Sequence, residues 1–306
     1  MPDIAVWNMC NNHCLMCSNP FDFQLEVNNA KYSFEDIKQR WSNRKILPSD
    51  SLCLTGGEQT SHPDFFRLVS WFHHQYPDNQ IVIASNGRMF SYLGFTKNLL
   101  KINNLLVEIA IHGNDDKTHD FVTRTKGSFK QTIEGIHNIL RNKKESQSLE
   151  IRIIISKLTY KNLDKILDFI NREFYVKKIR DVVLIFIEME GQADDNKNIT
   201  GVTYKEVMKF LPQTVEKWVS HFNDLRLYHF PLCVLHPKLW KYAHRTLRGE
   251  EIVFIPRCKK CLYKKYCLGI HYDYIPLFGD KEFTPPPKMK IETSEIYQHP
   301  ISKVIE

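Results

Sequence analysis

Seven of the eight cysteines fall into two groups whose spacing suits metal binding. The first group has the pattern Cys-x3-Cys-x2-Cys near the start of the chain: Cys10, Cys14 and Cys17. The second has the pattern Cys-x2-Cys-x5-Cys preceded by one upstream cysteine: Cys233, Cys258, Cys261 and Cys267. Clustered thiols in a chain without a recognisable export signal favour metal over a disulfide framework. Because thiolates are soft ligands, zinc and iron–sulfur clusters are the two alternatives.

The first group is compact enough to hold one cluster from a single loop. Three thiolates bind three irons of a [4Fe–4S] cubane and leave the fourth iron without a protein ligand, so that a cofactor or substrate can bind there. The alternative is a structural zinc site that a fourth ligand such as His13 completes. The eighth cysteine, Cys53, lies in an apolar run and is expected to be a buried small hydrophobic residue.

Two short polar segments could add chemistry to the first cysteine group. Gly56, Gly57 and Glu58 are consecutive, and Ser85 and Asn86 come directly before another glycine. Glycines let a backbone approach a ligand closely, and the neighbouring polar side chains can bind its charged or hydroxyl groups. Each segment also has an ordinary alternative, which is a tight turn between a strand and a helix.

Arg152 is a charged residue within the apolar segment 151–155. Strand alternation places it on one face and three isoleucines on the other. The isoleucine face is the better candidate for packing against helices, so we expect Arg152 to point into the interior of the sheet. A buried arginine needs an anion as its partner. The alternative is a position facing solvent at an edge.

These segments occupy regular places in an alternation of apolar strands and helices. Six apolar runs alternate with helical segments, near residues 4–7, 51–54, 81–84, 105–111, 149–155 and 182–187. This pattern indicates a parallel sheet covered by helices, whose ligand sites lie at the carboxyl ends of the strands. The expected fold class is therefore α/β. It is a partial (β/α)6 barrel of the TIM type over residues 1–205, followed by a cysteine-rich domain over residues 206–306.

The first cysteine group follows the first strand of such a fold, and Gly56-Gly57-Glu58 follows the second strand. This arrangement resembles the radical S-adenosylmethionine (SAM) superfamily. The resemblance implies a [4Fe–4S] cluster whose open iron binds SAM. It also implies an enzyme that reductively cleaves SAM to a 5′-deoxyadenosyl radical, which takes hydrogen from a substrate. In such enzymes the cofactor supplies the chemistry and the protein supplies positioning.

The same resemblance assigns SAM-binding roles to individual residues. Met16 and Glu188 would line the adenine pocket, and Arg152 would pair with the SAM carboxylate. The segments after the second and third strands would hold the ammonium group and the ribose or carboxylate. The full set of implied SAM-binding residues is Met16, Gly56, Gly57, Glu58, Ser85, Asn86, Arg152 and Glu188.

The second cysteine group resembles the auxiliary-cluster domain, called twitch and related to SPASM, of several radical SAM enzymes. Four thiolates complete the shell of a second [4Fe–4S] cluster, and the alternative is a structural zinc. At a finer level, the segments 10–18, 187–189 and 231–240 resemble the His-Xaa-Ser-system radical SAM maturases. This resemblance implies an enzyme that modifies a gene-encoded peptide.

Together these features predict a radical SAM enzyme that modifies a ribosomally made peptide or protein. The expected partners are a precursor peptide and an electron donor such as ferredoxin or flavodoxin. Two alternatives stay open: a radical SAM dehydrogenase or mutase acting on a small molecule, and a non-catalytic zinc-ribbon-like binding protein. A net charge of +7 from scattered basic residues does not indicate nucleic acid. Because no apolar run reaches the ~18 residues of a membrane span, we expect a cytoplasmic location.

Overall fold

The computed structural model describes residues 3–24 and 30–305. Within these residues, eight strands form one sheet in the order in which they occur along the chain, and all neighbouring strands are parallel. The strands are β1 Asp3–Trp7, β2 Leu52–Gly56, β3 Ile81–Ser85, β4 Leu105–Ala110, β5 Gln147–Ile155, β6 Asp181–Phe186, β7 Leu225–Tyr228 and β8 Ala243–His244. The α/β class and the parallel sheet are therefore confirmed.

Helices connect these strands and cover the outer face of the sheet. The helices between β1 and β6 are α1 Phe34–Trp41, α2 Phe65–Gln75, α3 Leu93–Leu99, α4 Asp116–Thr123, α5 Ser128–Asn142 and α6 Leu163–Glu173. After β6 come α7 Gln192–Asp195, α8 Lys197–Thr200, α9 Tyr204–Val207 and α10 Leu211–Trp218. Local signals start several of them. The Ser33 side chain accepts a hydrogen bond from the Asp36 N–H at the start of α1, and Asp115 does the same for Thr118 in α4.

The sheet has two more strands than the six that the sequence predicts, and both lie beyond residue 205. β7 has four residues that alternate between buried and half-buried, and β8 has two. Such short strands carry little periodic signal, so pairing with β6 decides their conformation. The division of the chain at residue 205 stays a prediction.

The sheet curves into a barrel that is not closed. Among the described strands, β1 and β8 are the two edges and do not pair with each other. The outward face of β5 presents Ile151, Ile153 and Ile155 to the helices, and all three are fully buried. Arg152 lies on the opposite face, in the barrel interior, where it contacts carboxylates of β4 and β5. The interior is thus partly polar and open along one side.

The remainder of the chain adds two small sheets and one short helix. They are β9 Ile252–Val253 with β10 Ile270–His271, β11 Lys290–Thr293 with β12 Ile301–Ile305, and α11 Tyr274–Phe278. An aromatic cluster joins this region to the barrel, because the ring of Phe186 in β6 stacks on Tyr204, which also contacts Tyr274 and Phe283. Residues of this C-terminal region, called the tail below, and residues of the barrel consequently belong to one hydrophobic core. None of the helices that the structure describes has the length and apolar character needed to cross a membrane.

Candidate active site

The loop that follows β1 carries the first three cysteines, and backbone contacts fix its path. His13 donates its N–H to the Thr123 carbonyl at 2.9 Å, and Leu15 donates to the Val122 carbonyl at 2.9 Å. These two bonds attach the loop to the carboxyl end of α4. On the other side, Ala193 donates to the Cys17 carbonyl at 3.1 Å. The loop is therefore held between the regions that follow β4 and β6, at the carboxyl edge of the sheet.

Side chains that follow β3 hold the first half of the same loop. The Asn86 amide donates to the Asn11 side-chain oxygen at 2.6 Å, and its nitrogen lies 4.0 Å from Cys10 Sγ. The Arg88 guanidinium donates to the Asn12 side-chain oxygen at 2.9 Å and to the Asn11 carbonyl. Asn86 thus lies next to the first cysteine, as its predicted place after β3 requires.

The three thiols form a suitable donor set for a cationic cluster. All three are half-exposed and free of disulfides. Burial raises the pKa of the Cys14 thiol well above its usual range, and the neighbouring Cys17 and Cys10 raise it further. Burial likewise raises the pKa of Cys10 to about 12. Such thiols lie close enough to repel one another as thiolates, and a bound metal cluster relieves that repulsion.

Gly56 and Gly57 allow the end of β2 to lie directly against the start of the cysteine loop. A Cβ atom on Gly56, whose φ is +137°, would lie 2.0 Å from the Trp7 carbonyl oxygen. A Cβ on Gly57 would lie 2.3 Å from the Met9 carbonyl oxygen. The backbone N–H groups of Gly57 and Glu58 donate to these same two carbonyls, each at 2.8 Å. Glycine is required here because any side chain would displace the backbone that leads into Cys10.

Glu58 is buried and binds neighbouring parts of the site. Its carboxylate accepts hydrogen bonds from the Ser85 hydroxyl at 2.8 Å, from the Asn86 N–H at 2.7 Å and from the Thr60 hydroxyl. Burial raises the pKa of this carboxyl, and the hydrogen bonds from its neighbours oppose the shift. Glu58, Ser85 and Asn86 are thus brought together as the sequence predicts. The contacts join the ends of β2 and β3, while the assignment of these residues to SAM stays a prediction.

Met16 and Glu188 lie in different surroundings. Met16 is 7% exposed and packs in the main hydrophobic core. Glu188 follows β6, and its Oε1 lies 3.5 Å from His229 Nδ1. Burial raises the pKa of Glu188 to about 7, because the charged form loses solvation. Their assignment to the adenine pocket also stays a prediction.

Arg152 points inward, and its anionic partners are supplied by the chain itself. Its Nη2 lies 2.5 Å from Glu108 Oε1, and its Nε lies 2.7 Å from Glu150 Oε1. Glu150 also pairs with Arg180 at 3.0 Å. A buried arginine needs an anion, and Glu108 of β4 and Glu150 of β5 supply it. The burial of Arg152 therefore needs no SAM carboxylate, and a contact with SAM stays a prediction.

The four tail cysteines line one cavity. Cys233, Cys258, Cys261 and Cys267 share a mostly apolar cavity of about 20 Å³. The Cys267 sulfur accepts hydrogen bonds from the N–H groups of Leu232 and Gly269, each at 3.4 Å. Burial and the three neighbouring thiols raise the pKa of Cys233 to about 12. Four thiols facing one cavity are the donor set of a [4Fe–4S] cluster and equally of a tetrahedral zinc site.

Several residues that support the site lie outside the set that the sequence assigns to cluster and SAM binding. Arg88 and Asn11 hold the cysteine loop, and Asn19 donates its amide to the Gly56 carbonyl at 2.9 Å. His119 accepts a hydrogen bond from the His112 N–H at 3.2 Å, beside the α4 end that anchors the loop. The sequence signal that could have identified them was their position, either just after a strand or within the cysteine loop. Their partners lie up to 77 positions away, and sequence spacing does not show such pairs.

Comparison with known proteins shows the family to which the chain belongs. Residues 4–170 match the family described as the Radical SAM superfamily. An AdoMet-dependent heme synthase from Methanosarcina barkeri (strain Fusaro / DSM 804) is 22% identical over 218 residues, which are 68% of this chain and 57% of that protein. The chain thus spans less than two thirds of this curated relative. The family match covers more than half of the chain, so this protein belongs to the radical SAM superfamily.

Solved structures with a similar fold have low sequence identity to this chain. Streptococcus suis SuiB bound to S-adenosylmethionine has a TM-score of 0.58 at 13% identity, with 93% of this chain and 75% of that chain covered. SuiB bound to the precursor peptide SuiA has a TM-score of 0.55 at 14% identity, covering 74% and 48%. The anSMEcpe protein with bound AdoMet has a TM-score of 0.55 at 16% identity, covering 73% and 60%. At these identities the likeness shows the fold.

Proposed function

We propose that this radical SAM enzyme binds its [4Fe–4S] cluster through Cys10, Cys14 and Cys17 and modifies a ribosomally made peptide. The observation that carries the first part is the convergence of three free thiols in one loop at the carboxyl edge of the sheet. Family membership implies SAM and the cluster, and makes the protein an enzyme. When bound and reduced, the cluster supplies the electron that splits SAM into methionine and the 5′-deoxyadenosyl radical that takes hydrogen from substrate.

The residues around the loop would position SAM and shield the reaction from water. Asn86, whose backbone N–H donates to Glu58, presents its side-chain amide 4.0 Å from Cys10 Sγ, and the Ser85 hydroxyl donates to the same Glu58 carboxylate. Gly56 and Gly57 keep the loop close to the sheet, so that ligand and cluster share one site. Met16 and the apolar core beneath it close the site on the side away from solvent. This chain therefore binds, orients and excludes water, while the bound groups supply the redox chemistry.

Two observations support a peptide as the substrate. The edge strands β1 and β8 do not pair, and we propose that a long substrate enters the barrel between them. Two of the similar folds were solved with peptides, SuiB with its precursor peptide SuiA and anSMEcpe with the peptide Cp18Cys. A ferredoxin or flavodoxin is the proposed electron donor, since the first cluster needs an external reductant.

The test of this function begins with the chain alone. Anaerobic protein, reduced with dithionite and supplied with SAM, should release 5′-deoxyadenosine, measured by chromatography. Co-expression with a short peptide encoded beside its gene should then change the mass of that peptide. Cleavage of SAM without any mass change in such peptides would contradict the peptide assignment and leave the SAM chemistry intact. Absence of 5′-deoxyadenosine from cluster-loaded protein would contradict both.

The tail cysteines are proposed to hold a second [4Fe–4S] cluster that accepts an electron or anchors the substrate. The four thiols around one cavity, in a chain of the radical SAM superfamily, support this proposal. Anaerobically purified protein should carry about eight iron and eight sulfide per chain. About four iron with one zinc would replace the second cluster by a structural zinc and leave the first cluster in place.

A small-molecule substrate is the second candidate. The curated relative is an AdoMet-dependent heme synthase, whose name describes chemistry on a small molecule. A radical SAM dehydrogenase or mutase acting on a sugar or alcohol belongs to the same alternative. Substrate-dependent 5′-deoxyadenosine formation separates the two classes, because peptide fractions and small-molecule fractions of a cell extract can be assayed separately.

A further inference from the structure

We propose that Glu190, His271 and Asp273 form a binding site for one first-row divalent cation, separate from both cysteine groups. Glu190 follows β6 of the barrel, His271 ends β10 of the tail, and Asp273 lies two residues further along. One ligand atom from each lies within 4.8 Å of the other two. The proposal is independent of the peptide substrate and of the second cluster.

The geometry of the three side chains suits a metal ligand set. His271 Nδ1 lies 2.7 Å from Asp273 Oδ1, and His271 Nε2 lies 3.8 Å from Glu190 Oε1. Asp273 is fixed in turn, because its other oxygen accepts a hydrogen bond from the Met189 N–H. Because one imidazole offers a single nitrogen to an ion, the ion would bind either at Nδ1 beside Asp273 or at Nε2 beside Glu190.

The burial of the histidine leaves one of its nitrogens unexplained. His271 is 5% exposed, and its Nδ1 makes no hydrogen bond of good geometry despite the close Asp273 oxygen. Buried polar atoms are nearly always hydrogen-bonded, and an exception calls for a ligand.

The charges around the group favour a cation. Glu188, Glu190 and Asp273 are three carboxyls, and their basic neighbours are the histidines His271 and His229. A fourth carboxyl, Glu251, has its own partner in Arg248 at 2.6 Å.

An open cavity adjoins the group on one side. It has a volume of about 850 Å³, and Glu190, Tyr272, Asp273 and Asp194 contribute to its wall. Among the described residues that line it, there is no lysine or arginine. Burial of His271 and Asp273 on one side and this opening on the other would leave coordination positions free for water or a substrate group.

The donor types select the class of metal. One imidazole nitrogen with two carboxylates suits Mn²⁺, Fe²⁺ or Zn²⁺ better than Mg²⁺ or Ca²⁺, which prefer oxygen ligands alone. A cation here would join the end of β6 to the tail. It would also lie beside the cysteine loop, because Gly191 packs against the backbone of Ser18 and Asn19.

The test uses Mn²⁺ on the anaerobic, iron-loaded full chain, after chelator treatment and buffer exchange. Electron paramagnetic resonance should show one tightly bound Mn²⁺ per chain, with a nitrogen coupling from the histidine in pulsed spectra. His271→Ala should lose that coupling and weaken binding at least tenfold, and Glu190→Gln should weaken it similarly. Asp194→Asn is the matched control, because this half-exposed carboxylate lines the same cavity and pairs with Lys197, and it should bind as the wild type does.

Two results would overturn the proposal. The first is Mn²⁺ binding that stays weak and non-stoichiometric in the wild type, which would mean adventitious binding to surface acids only. The second is stoichiometric binding that His271→Ala leaves unchanged, which would place the ion elsewhere. Glu190 is one third exposed, so Glu190→Gln should fold even if His271→Ala does not. Circular dichroism checks the fold of each variant, and the iron content checks its cysteine sites. Because the readout is Mn²⁺, failure of SAM cleavage does not affect this test.

Discussion

The cysteine loop after β1 lies on the edge of a parallel sheet, whereas the tail cysteines lie among short turns. The first three ligands come from eight consecutive residues, and backbone bonds from β2, α4 and α7 hold their loop. The four tail cysteines span residues 233–267, a segment whose strands have two residues each and whose 3-10 helices have three to six. There, the aromatic core around Trp240 and Tyr263 supplies the rigidity, with ring centroids 4.7 Å apart.

The two regions differ both in the number of cysteines and in the structure that holds them. A loop on a sheet edge needs only three cysteines, and the carboxyl ends of the strands leave its open side to a ligand. The region of the four tail cysteines has only two-residue strands, and four thiolates would close the shell of the proposed second cluster. An open site suits the SAM chemistry of the family, and a closed site suits a supporting cluster.

Removing one ligand from each site should have the largest and most different effects. Cys14→Ala should abolish 5′-deoxyadenosine formation, because it removes a ligand of the SAM-binding cluster. Cys261→Ala should permit SAM cleavage and block substrate turnover. Both are measured by product analysis on protein of known iron content. If Cys261→Ala protein with an intact first cluster turned over substrate at the normal rate, the tail site would have no part in the mechanism.

Gly57→Ala should damage the first site and spare the second. The added methyl group would lie 2.3 Å from the Met9 carbonyl oxygen, so that the backbone before Cys10 must move. We expect loss of about half of the iron, with the tail cluster retained, and a loss of ~2 kcal/mol or more in stability. Gly249→Ala is the control, because a methyl group there meets no atom within 4 Å. Equal iron in both variants would show that the loop tolerates displacement.

Arg152→Gln tests whether the barrel beneath the first site is a structural or a SAM-binding element. The substitution leaves Glu108 and Glu150 without their shared guanidinium, and Glu108 is 4% exposed. Breaking such a pair should cost ~3 kcal/mol in the free energy of unfolding, measured by denaturant titration. Arg152→Lys should recover little, because an ammonium cannot make both contacts. Unchanged stability with a ten- to hundredfold weaker SAM affinity would instead establish the SAM carboxylate as its partner.

The smallest expected effect is on the pH dependence of stability. It comes from His112, whose N–H donates to His119 in α4, the helix that holds the cysteine loop. Burial, with a further contribution from His119, lowers the pKa of His112 to about 3. The unfolded chain binds a proton near pH 6.5 and the folded chain does not, so stability falls as the pH drops below 6.5. Between pH 7 and 5 this residue should account for ~2 kcal/mol. Urea unfolding of His112→Gln should show a shallower pH dependence by that amount. His74→Gln, at an exposed position, is the control, and an equal slope in both variants would contradict the assignment.

Much of the sheet and the first cysteine site could be predicted from local patterns. Apolar runs such as Ile81–Ser85 and Asp181–Phe186 are long enough to identify strands between helices. Cys10, Cys14 and Cys17 lie within one turn-rich loop, so their proximity follows from chain connectivity. The glycines and Glu58 directly after β2 were found because parallel strands bring their carboxyl ends to one edge. In each case the relevant partners are close along the chain or fixed by sheet register.

What the sequence by itself determined is therefore the alternation of strands and helices and the local ligand spacing, since both depend on neighbouring residues. Only the tertiary structure decided which distant groups meet. It paired Arg152 with Glu108 across β4 and β5, added the short strands β7 and β8, and brought His271 of the tail beside Glu190 of the barrel. The physical reason is that ion pairs and metal ligand sets depend on distances in space, and folding brings together residues that no sequence period relates.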